Sequence, residues 1–395
     1  MTAHDAPDVP DAPPHPTPVG GLDDLVIICG ATFWAGTRLL DQHLAEELTA
    51  YAPVLYVDPP VSALTRFRNP QARTAAGPAG LDRVADRIWR LSPHVLPLKE
   101  RPGGKQVALA LTRRAMRSAV RELGARSVRA VIVPSLNPLF GAVGEQYSVF
   151  YAGDDYVAGA RLLGINPRRL ERRARRQPVD ADIVVGVSPK LVADLRAPGI
   201  EPALIPNGCD VEHFSRTPVP APSGRPTVAF VGHLSERVDV RYLEAVAESG
   251  LRLLMIGPRQ TTLQEGHFAA LARHPNVEWV GAVPYVDLPD ALAGTTTCLL
   301  PYGDSDFNRA SFPLKVLEYL AAGRRVVSTD LPAIEWLDTD LVTVAASPAD
   351  FAEAVRSSLS TPLTSEEIDR RRAFASTHTW ENRVRQLAGL LGLGA

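Results

Sequence analysis

Short, continuous apolar runs alternate with amphipathic stretches along most of the chain. Leu25-Val26-Ile27-Ile28-Cys29 is the first run, of the kind buried on both faces of a parallel sheet. Gly30 then opens a loop containing Phe33, Trp34 and Gly36. Leu39, Leu40, His43, Leu44, Glu47 and Leu48 follow at helical spacing. Residues 53–57, 87–91, 128–133, 147–151, 183–187 and 203–206 read as further strands. A long basic helix over 105–123 and a second around 168–177 lie between them, and Ser188 is placed to cap a short helix. Residues 62–83 read as a polar loop. The alternation restarts at 227–231 and continues at 253–257, 277–281, 297–300 and 325–329, each strand with a helix after it. Three of these runs end in Gly, which lets a ligand or backbone approach the carboxyl edge closely.

This alternation predicts an α/β fold with two Rossmann-like, doubly wound parallel-sheet domains facing across a cleft. Residues 1–22 are proline-rich, with almost no large apolar side chains, and read as a disordered tail. The N-terminal domain is expected over 23–208. Residues 209–226 lose periodicity and gain prolines, which marks a linker. The C-terminal domain is expected over 227–375, with a helix in 376–395 free to cross back to the first domain.

One predicted helix has its start and stop written in, over 311–323. Ser311 is a good N-cap, Pro313 suits the first turn, and Gly323 suits the position after the last turn. Its cover is apolar, yet Glu318 sits in the middle, where a buried carboxylate needs a partner. Glu318 leans toward the helix N-terminus, where anions are favoured. Two readings stay open on the residues alone: Glu318 holds ribose hydroxyls of a nucleotide, or it pairs with Lys315 or a nearby Arg.

Composition narrows the class. At 395 residues two domains are the prior, and 45% hydrophobic with 22% charged residues is ordinary for a water-soluble globular chain. The net charge of −2 argues against a general polyanion binder, and the basic runs lack the interleaved aromatics of a nucleic-acid site. Cys29, Cys209 and Cys298 are far apart, which points to a reducing compartment and no structural zinc. No apolar run is long enough to span a bilayer, and the N-terminus does not read as a signal peptide. The expected location is cytoplasmic, with the arginines of Arg161–Arg176 and of 113–121 offering a cationic face for an anionic inner-membrane surface.

Three motifs resemble those of GT-B glycosyltransferases of the retaining family 4 type. Residues 181–191 (ADIVVGVSPKL) are similar to one family segment, and 205–214 (IPNGCDVEHF) to a second, with Cys209 in the usual Val place. The 311–323 helix resembles the donor-nucleotide block. The runs 54–60 and Asp154-Asp155-Tyr156 look most like enzymes of surface polysaccharide and teichuronic acid assembly.

The resemblance implies transfer of a sugar from a nucleotide-diphosphate sugar to an acceptor hydroxyl with retention, without metal or other cofactor. Glu318 would hold the ribose. The phosphates would lie against Gly232, His233 and the backbone of Ser311, Phe312, Pro313 and Leu314, with the base near Val283. Arg237 and Asn308 are the catalytic candidates, Arg237 to stabilise the leaving diphosphate and Asn308 to meet sugar hydroxyls. Ala310 replaces the first Glu of the E-x7-E pattern. Trp34, His43, Asn137, Asp154 and Asp155 are the acceptor-side candidates, for a saccharide, lipid-linked or small-molecule acceptor. The bland readings are an exposed Arg237, a structural His43, a Trp34 packed under the sheet, and aspartates that cap or turn. A natural-product glycosyltransferase, a sugar-nucleotide epimerase and a non-catalytic GT-B partner protein are the competing functions.

Overall fold

The structure is a computed structural model that describes residues 22–62, 75–96, 103–163, 166–220, 226–259 and 265–394. The expected tail before Leu22 and the stretch 221–225 of the expected linker lie outside the described residues. Fourteen strands among the described residues form two sheets. β1 (Leu25–Cys29), β2 (Val54–Val57), β3 (Gly80–Ala85), β4 (Ile88–Ser92), β5 (Val128–Val133), β6 (Tyr147–Ala152), β7 (Ile183–Gly186) and β8 (Ala203–Leu204) make the first, in the order β3-β4-β2-β1-β5-β6-β7-β8. β9 (Thr227–Val231), β10 (Arg252–Ile256), β11 (Val277–Gly281), β12 (Thr295–Leu300), β13 (Arg325–Thr329) and β14 (Val342–Ala345) make the second, in the order β11-β10-β9-β12-β13-β14.

Every pairing is parallel except β3 with β4. In each sheet the strand order reverses beside its first strand, between β1 and β5 and between β9 and β12. Loops diverge there and leave a crevice at the carboxyl edge. The Gly30–Leu39 loop and the Pro134–Asn137 turn flank the first crevice. The Gly232–Asp239 loop and the Pro301–Ser305 turn flank the second, stitched by Gly303 N–H donating to the Arg237 carbonyl at 2.9 Å.

Parts of this differ from the sequence expectation. β3 falls in the expected polar loop. It is an edge strand with mostly solvated side chains, and it pairs across a tight turn with β4, where Arg90 meets Asp82 at 2.6 Å. The expected linker contains the helix Val211–Ser215, which buries Phe214 fully. The helix Tyr156–Leu162 was not expected at all.

The two basic helices do not share a face. Met116 and Ala119 of Gly104–Glu122 pack with Leu25, Ile27 and Leu55, whereas Leu170 and Ala174 of Arg168–Val179 pack on the cluster holding Val26, Ile28 and Tyr56. Alternate strand residues point to opposite faces, so the helices cover opposite sides of the sheet. Arg113 and Arg117 also donate to the carbonyls of Pro138, Phe140 and Ala142, so a joint cationic face with Arg161–Arg176 is ruled out.

The sheets are joined by more than a linker. The Trp380–Leu390 helix packs on the Leu40–Leu48 helix of the first sheet, and Cys209 N–H donates to the His378 carbonyl at 2.8 Å. A Cβ on Gly208 would lie 2.6 Å from the Trp380 nitrogen, so this crossing tolerates only glycine.

Candidate active site

At the second crevice the chain is drawn tight. Gly232 N–H donates to Ile256 O at 2.9 Å and Gly257 N–H to Gly281 O at 2.6 Å. A Cβ on Gly257, whose φ is +140°, would sit 1.9 Å from Gly232 O. The glycines that close β10 and β11 therefore let three strand ends converge beside Gly232. His233 follows, exposed at the rim. Its imidazole is held below the ordinary value by the protein around it, then by the Lys315 and Arg237 cations. Val283 lies half-buried in the turn after β11, against the core.

Arg237 is not the exposed loop side chain of the bland reading. Its guanidinium lies 4.8 Å from the ring centre of Tyr302 and 5.0 Å from that of Phe307. Its Nε donates to Asn308 Oδ1 at 3.1 Å. Asn308 is buried, and its Nδ2 donates to the carbonyls of Arg237 (2.9 Å) and Gly303 (2.8 Å). Both ends of this amide are engaged by protein. Asn308 thus holds Arg237 and the turn in place, and direct contact with sugar hydroxyls, as the sequence suggested, is corrected by this geometry.

The helix of interest spans Leu314–Ala321, and Pro313 occupies its N-cap position. Ser311 is not the N-cap. It ends the preceding Asp306–Ala310 helix, and its hydroxyl is within 3.0 Å of Asp154 Oδ1 and 2.9 Å of the Phe307 carbonyl. The proline at 313 and the interdomain bonds of 310–312 keep the chain extended there. Gly323 does close the helix, at φ +74°. Tyr319 OH, hydrogen-bonded to Val231 N (2.9 Å) and O (3.1 Å), anchors the helix to the end of β9.

Glu318 is 3% exposed, and Lys315 Nζ lies 2.5 Å from its Oε2. The Lys315 partner foreseen in the bland reading is therefore present. It also puts a cation at the first turn, beside N–H groups that have no intrahelical acceptors. Ser311, Phe312 and Pro313 are buried and Leu314 half-buried.

Residues of the first sheet reach this edge. Asn207 Nδ2 donates to the Phe312 carbonyl at 3.0 Å, and Ser188 Oγ to the Ala310 carbonyl at 2.5 Å while it also caps the Pro189–Leu195 helix. Asp154 meets Ser311. Burial raises the Asp154 carboxyl above its usual range, opposed by Arg237 and by the Ser311 bond. Ala310, one residue before the third motif, and Gly208 of the second, packed against Trp380, are structural junctions between the two domains.

The other acceptor-side candidates scatter. Asp155 caps the Tyr156–Leu162 helix, accepting from Val157 and Ala158 N–H at 2.9 Å each, so its capping reading replaces the acceptor one. His43 is 3% exposed, stacked on Trp380 at 4.9 Å and edge-on to Tyr285 at 5.9 Å. Burial lowers it to about 3, aided by Arg38, Lys315 and His213. A side chain sealed between rings does not reach an acceptor, and the structural reading replaces that assignment too. Trp34 is half-buried, its ring edge-on to Tyr56 at 5.2 Å and its backbone N–H donating to Asp58 Oδ1 at 2.8 Å. Asn137 is half-buried beside the first crevice, and its carbonyl accepts from Gln177 at 3.2 Å. Of the five, two reach the second domain: Asp154 through Ser311, and His43 through Tyr285, just after β11.

Sequence reasoning missed Asn207, Ser188, Tyr302 and Phe307 as parts of this site. The first two stand in quoted motifs, but only the fold shows that they bond to 310 and 312. Among the described residues no group of three His, Cys, Asp or Glu side chains has metal-holding geometry.

Residues 225–361 match the family described as Glycosyl transferases group 1. That stretch is a group 1 glycosyl transferase domain. It contains Gly232, Arg237, Asn308 and Glu318. The group 1 domain is also the part of the chain with the tight glycine crevice and the buried carboxylate helix.

A curated relative is 29% identical over 171 residues, 42% of this chain: the protein of Bacillus subtilis (strain 168) named as teichuronic acid biosynthesis glycosyltransferase TuaH. The match spans 43% of that relative's length. Among solved structures, sucrose-phosphate synthase from Thermosynechococcus elongatus superposes with a TM-score of 0.71 at 16% identity, over 93% of this chain and 98% of that one. Anabaena Alr3699/HepE in complex with UDP and glucose gives 0.65 at 13% identity, over 93% and 99%. The lipopolysaccharide-biosynthesis glycosyltransferase WaaG gives 0.62 at 18%, over 93% and 100%. Such likeness across nearly the whole chain gives both sheets the GT-B arrangement.

Proposed function

We propose that the chain transfers a sugar from a nucleoside-diphosphate sugar to an acceptor hydroxyl with retention, in cell-surface polysaccharide or glycoconjugate synthesis. One observation carries the reading. A buried carboxylate, Glu318, stands on a helix whose first turn, with Lys315, faces the same crevice edge as Gly232 and an aromatically clamped Arg237. On this reading Glu318 receives the ribose hydroxyls and Val283 lines the base. Lys315, Arg237 and backbone N–H groups take the negative charge that grows on the diphosphate as the glycosyl bond breaks. Preorganised donors and cations of this kind lower such a barrier because they need no reorientation. Asn308 acts through Arg237, as a positioning residue. Asp154 and Asn137, at the edge of the first crevice, face the acceptor side.

The relatives support the direction. The curated relative is named for teichuronic acid biosynthesis, and the HepE structure holds UDP and glucose. The absence of a Glu at 310 supports one other reading, a non-catalytic GT-B partner.

Turnover separates the two. The purified protein is incubated with UDP-, GDP- and dTDP-sugars and a panel of cell-surface saccharide and lipid-linked acceptors, and nucleoside diphosphate is quantified. The transferase reading expects acceptor-dependent release from one donor, reduced by Arg237→Ala by roughly 100-fold, the scale for one preorganised charge-stabilising group. Nucleotide binding with no release above background across the panel would favour the non-catalytic partner.

A further inference from the structure

Phe307 stands between the two domains, with a neighbour from each. From its own domain the Arg237 guanidinium lies 5.0 Å from the ring centre. From the first domain the neighbour is Gly159, inside the Tyr156–Leu162 helix, which packs on the Asp306–Ala310 helix. A Cβ on Gly159 would come within 3.0 Å of Phe307 Cε2 and 3.1 Å of Cδ2, so the ring occupies the space that a side chain would fill. Glycine inside a helix is less favourable than alanine. Here the missing side chain lets the ring seat.

The first domain fixes the backbone of Phe307 as well. The Ser311 hydroxyl lies 3.0 Å from Asp154 Oδ1 and 2.9 Å from the Phe307 carbonyl. Arg237 is held by Tyr302, Phe307 and Asn308, its Nε donating to Asn308 Oδ1 at 3.1 Å. Among the described residues no acceptor meets its Nη groups, which leaves them for an anion.

We infer that Gly159 and Phe307 are positioning residues for the diphosphate: through their contact the first domain sets where the Arg237 guanidinium stands. A helix that begins beside Asp154, on the acceptor side, thereby aligns a cation of the donor side. This role presupposes that Arg237 meets the diphosphate, so it rests on the proposed donor site. If the contact served packing alone, changes at 159 or 307 would weaken every ligand of the crevice alike. If it aims the guanidinium, the loss falls on the phosphates.

UDP, GDP and dTDP are titrated calorimetrically into the full chain, and uridine, guanosine and thymidine are measured by displacement. The quantity read is the ratio of diphosphate to nucleoside affinity. For the nucleotide that binds, Arg237→Ala should lower this ratio roughly tenfold, the scale of a hydrogen bond to a charged group. Phe307→Leu and Gly159→Ala should each lower it roughly threefold, the scale of one cation–π contact. Nucleoside affinity should stay unchanged, and a thermal melt should show both variants folded. In the Phe307→Leu background Gly159→Ala should change nothing further, because the ring that it displaces is gone. A wild-type ratio in both single variants, with Arg237→Ala still lowering it, overturns the role of Gly159 and Phe307 and leaves the donor site standing. Equal loss of diphosphate and nucleoside affinity also overturns it, in favour of packing alone. A ratio that Arg237→Ala leaves unchanged removes Arg237 from the diphosphate, and the two positioning residues with it.

Discussion

At residue scale the site depends on how buried polar groups are compensated. Glu318 was legible as an oddity, a carboxylate in an apolar helix, because burying a charge unpaired is costly. Its Lys315 partner was legible as an alternative, three residues earlier on the same face. Asn308 and Asp155 were legible as polar residues in suggestive places, but not for what they bond. Both are consumed locally, one by Arg237 and Gly303, the other by two helix N–H groups. His43 shows the same limit, since only tertiary packing reveals that it lies between Trp380 and Tyr285. It makes a pH prediction. Burial holds its folded-state value at about 3, below the ordinary 6.5, so the unfolded chain binds the proton more readily. His43 therefore leaves stability intact above about pH 6.5 and subtracts from it as pH falls from there toward 3, by up to roughly 1.4 kcal/mol per pH unit. Urea titrations at pH 7 and pH 5 should show this loss in the wild type and a smaller one in His43→Leu. Equal losses would remove His43 from the acid response.

At element scale the parallel strands were plain in the sequence, because strands buried on both faces read as unbroken apolar runs. β3 was hidden because it is an edge strand whose side chains mostly face solvent, so no apolar run marks it. The Tyr156–Leu162 helix is too short for its periodicity to stand out. The 311–323 helix was found with its C-terminal stop correct and its N-cap wrong. The Gly323 signal is local, whereas the role of Ser311 is set by Asp154, 157 residues away. Local conformation also governs the glycines at the second crevice. Gly257→Ala would force a Cβ to within 1.9 Å of Gly232 O at a φ that alanine rarely adopts. It should cost roughly 2–4 kcal/mol in a denaturant melt and weaken nucleotide binding together. An alanine variant of wild-type stability would mean that Gly232 and Gly257 are less tightly apposed than this arrangement requires.

At the scale of the whole molecule, two sheets of similar winding bring their carboxyl edges together, and polar side chains bond across the meeting point beside an apolar cluster that runs through both domains. Ser188, Asn207 and Asp154 from one side reach Ala310, Phe312 and Ser311 on the other. The alternation of strands and helices foretold two such domains. It could not foretell that the motif residues of the first would bond to the backbone that leads into the donor helix of the second, because those contacts join residues more than 100 positions apart. The second crevice is where nucleoside diphosphate binding through Glu318 is to be measured. Isothermal titration calorimetry of UDP, GDP and dTDP on the wild type and on Glu318→Ala is that measurement. One nucleotide should bind the wild type and bind the variant roughly 30-fold more weakly, about 2 kcal/mol for lost hydrogen bonds to a charged group. Unchanged affinity in a folded Glu318→Ala protein would contradict it and leave Glu318 as no more than the partner of Lys315.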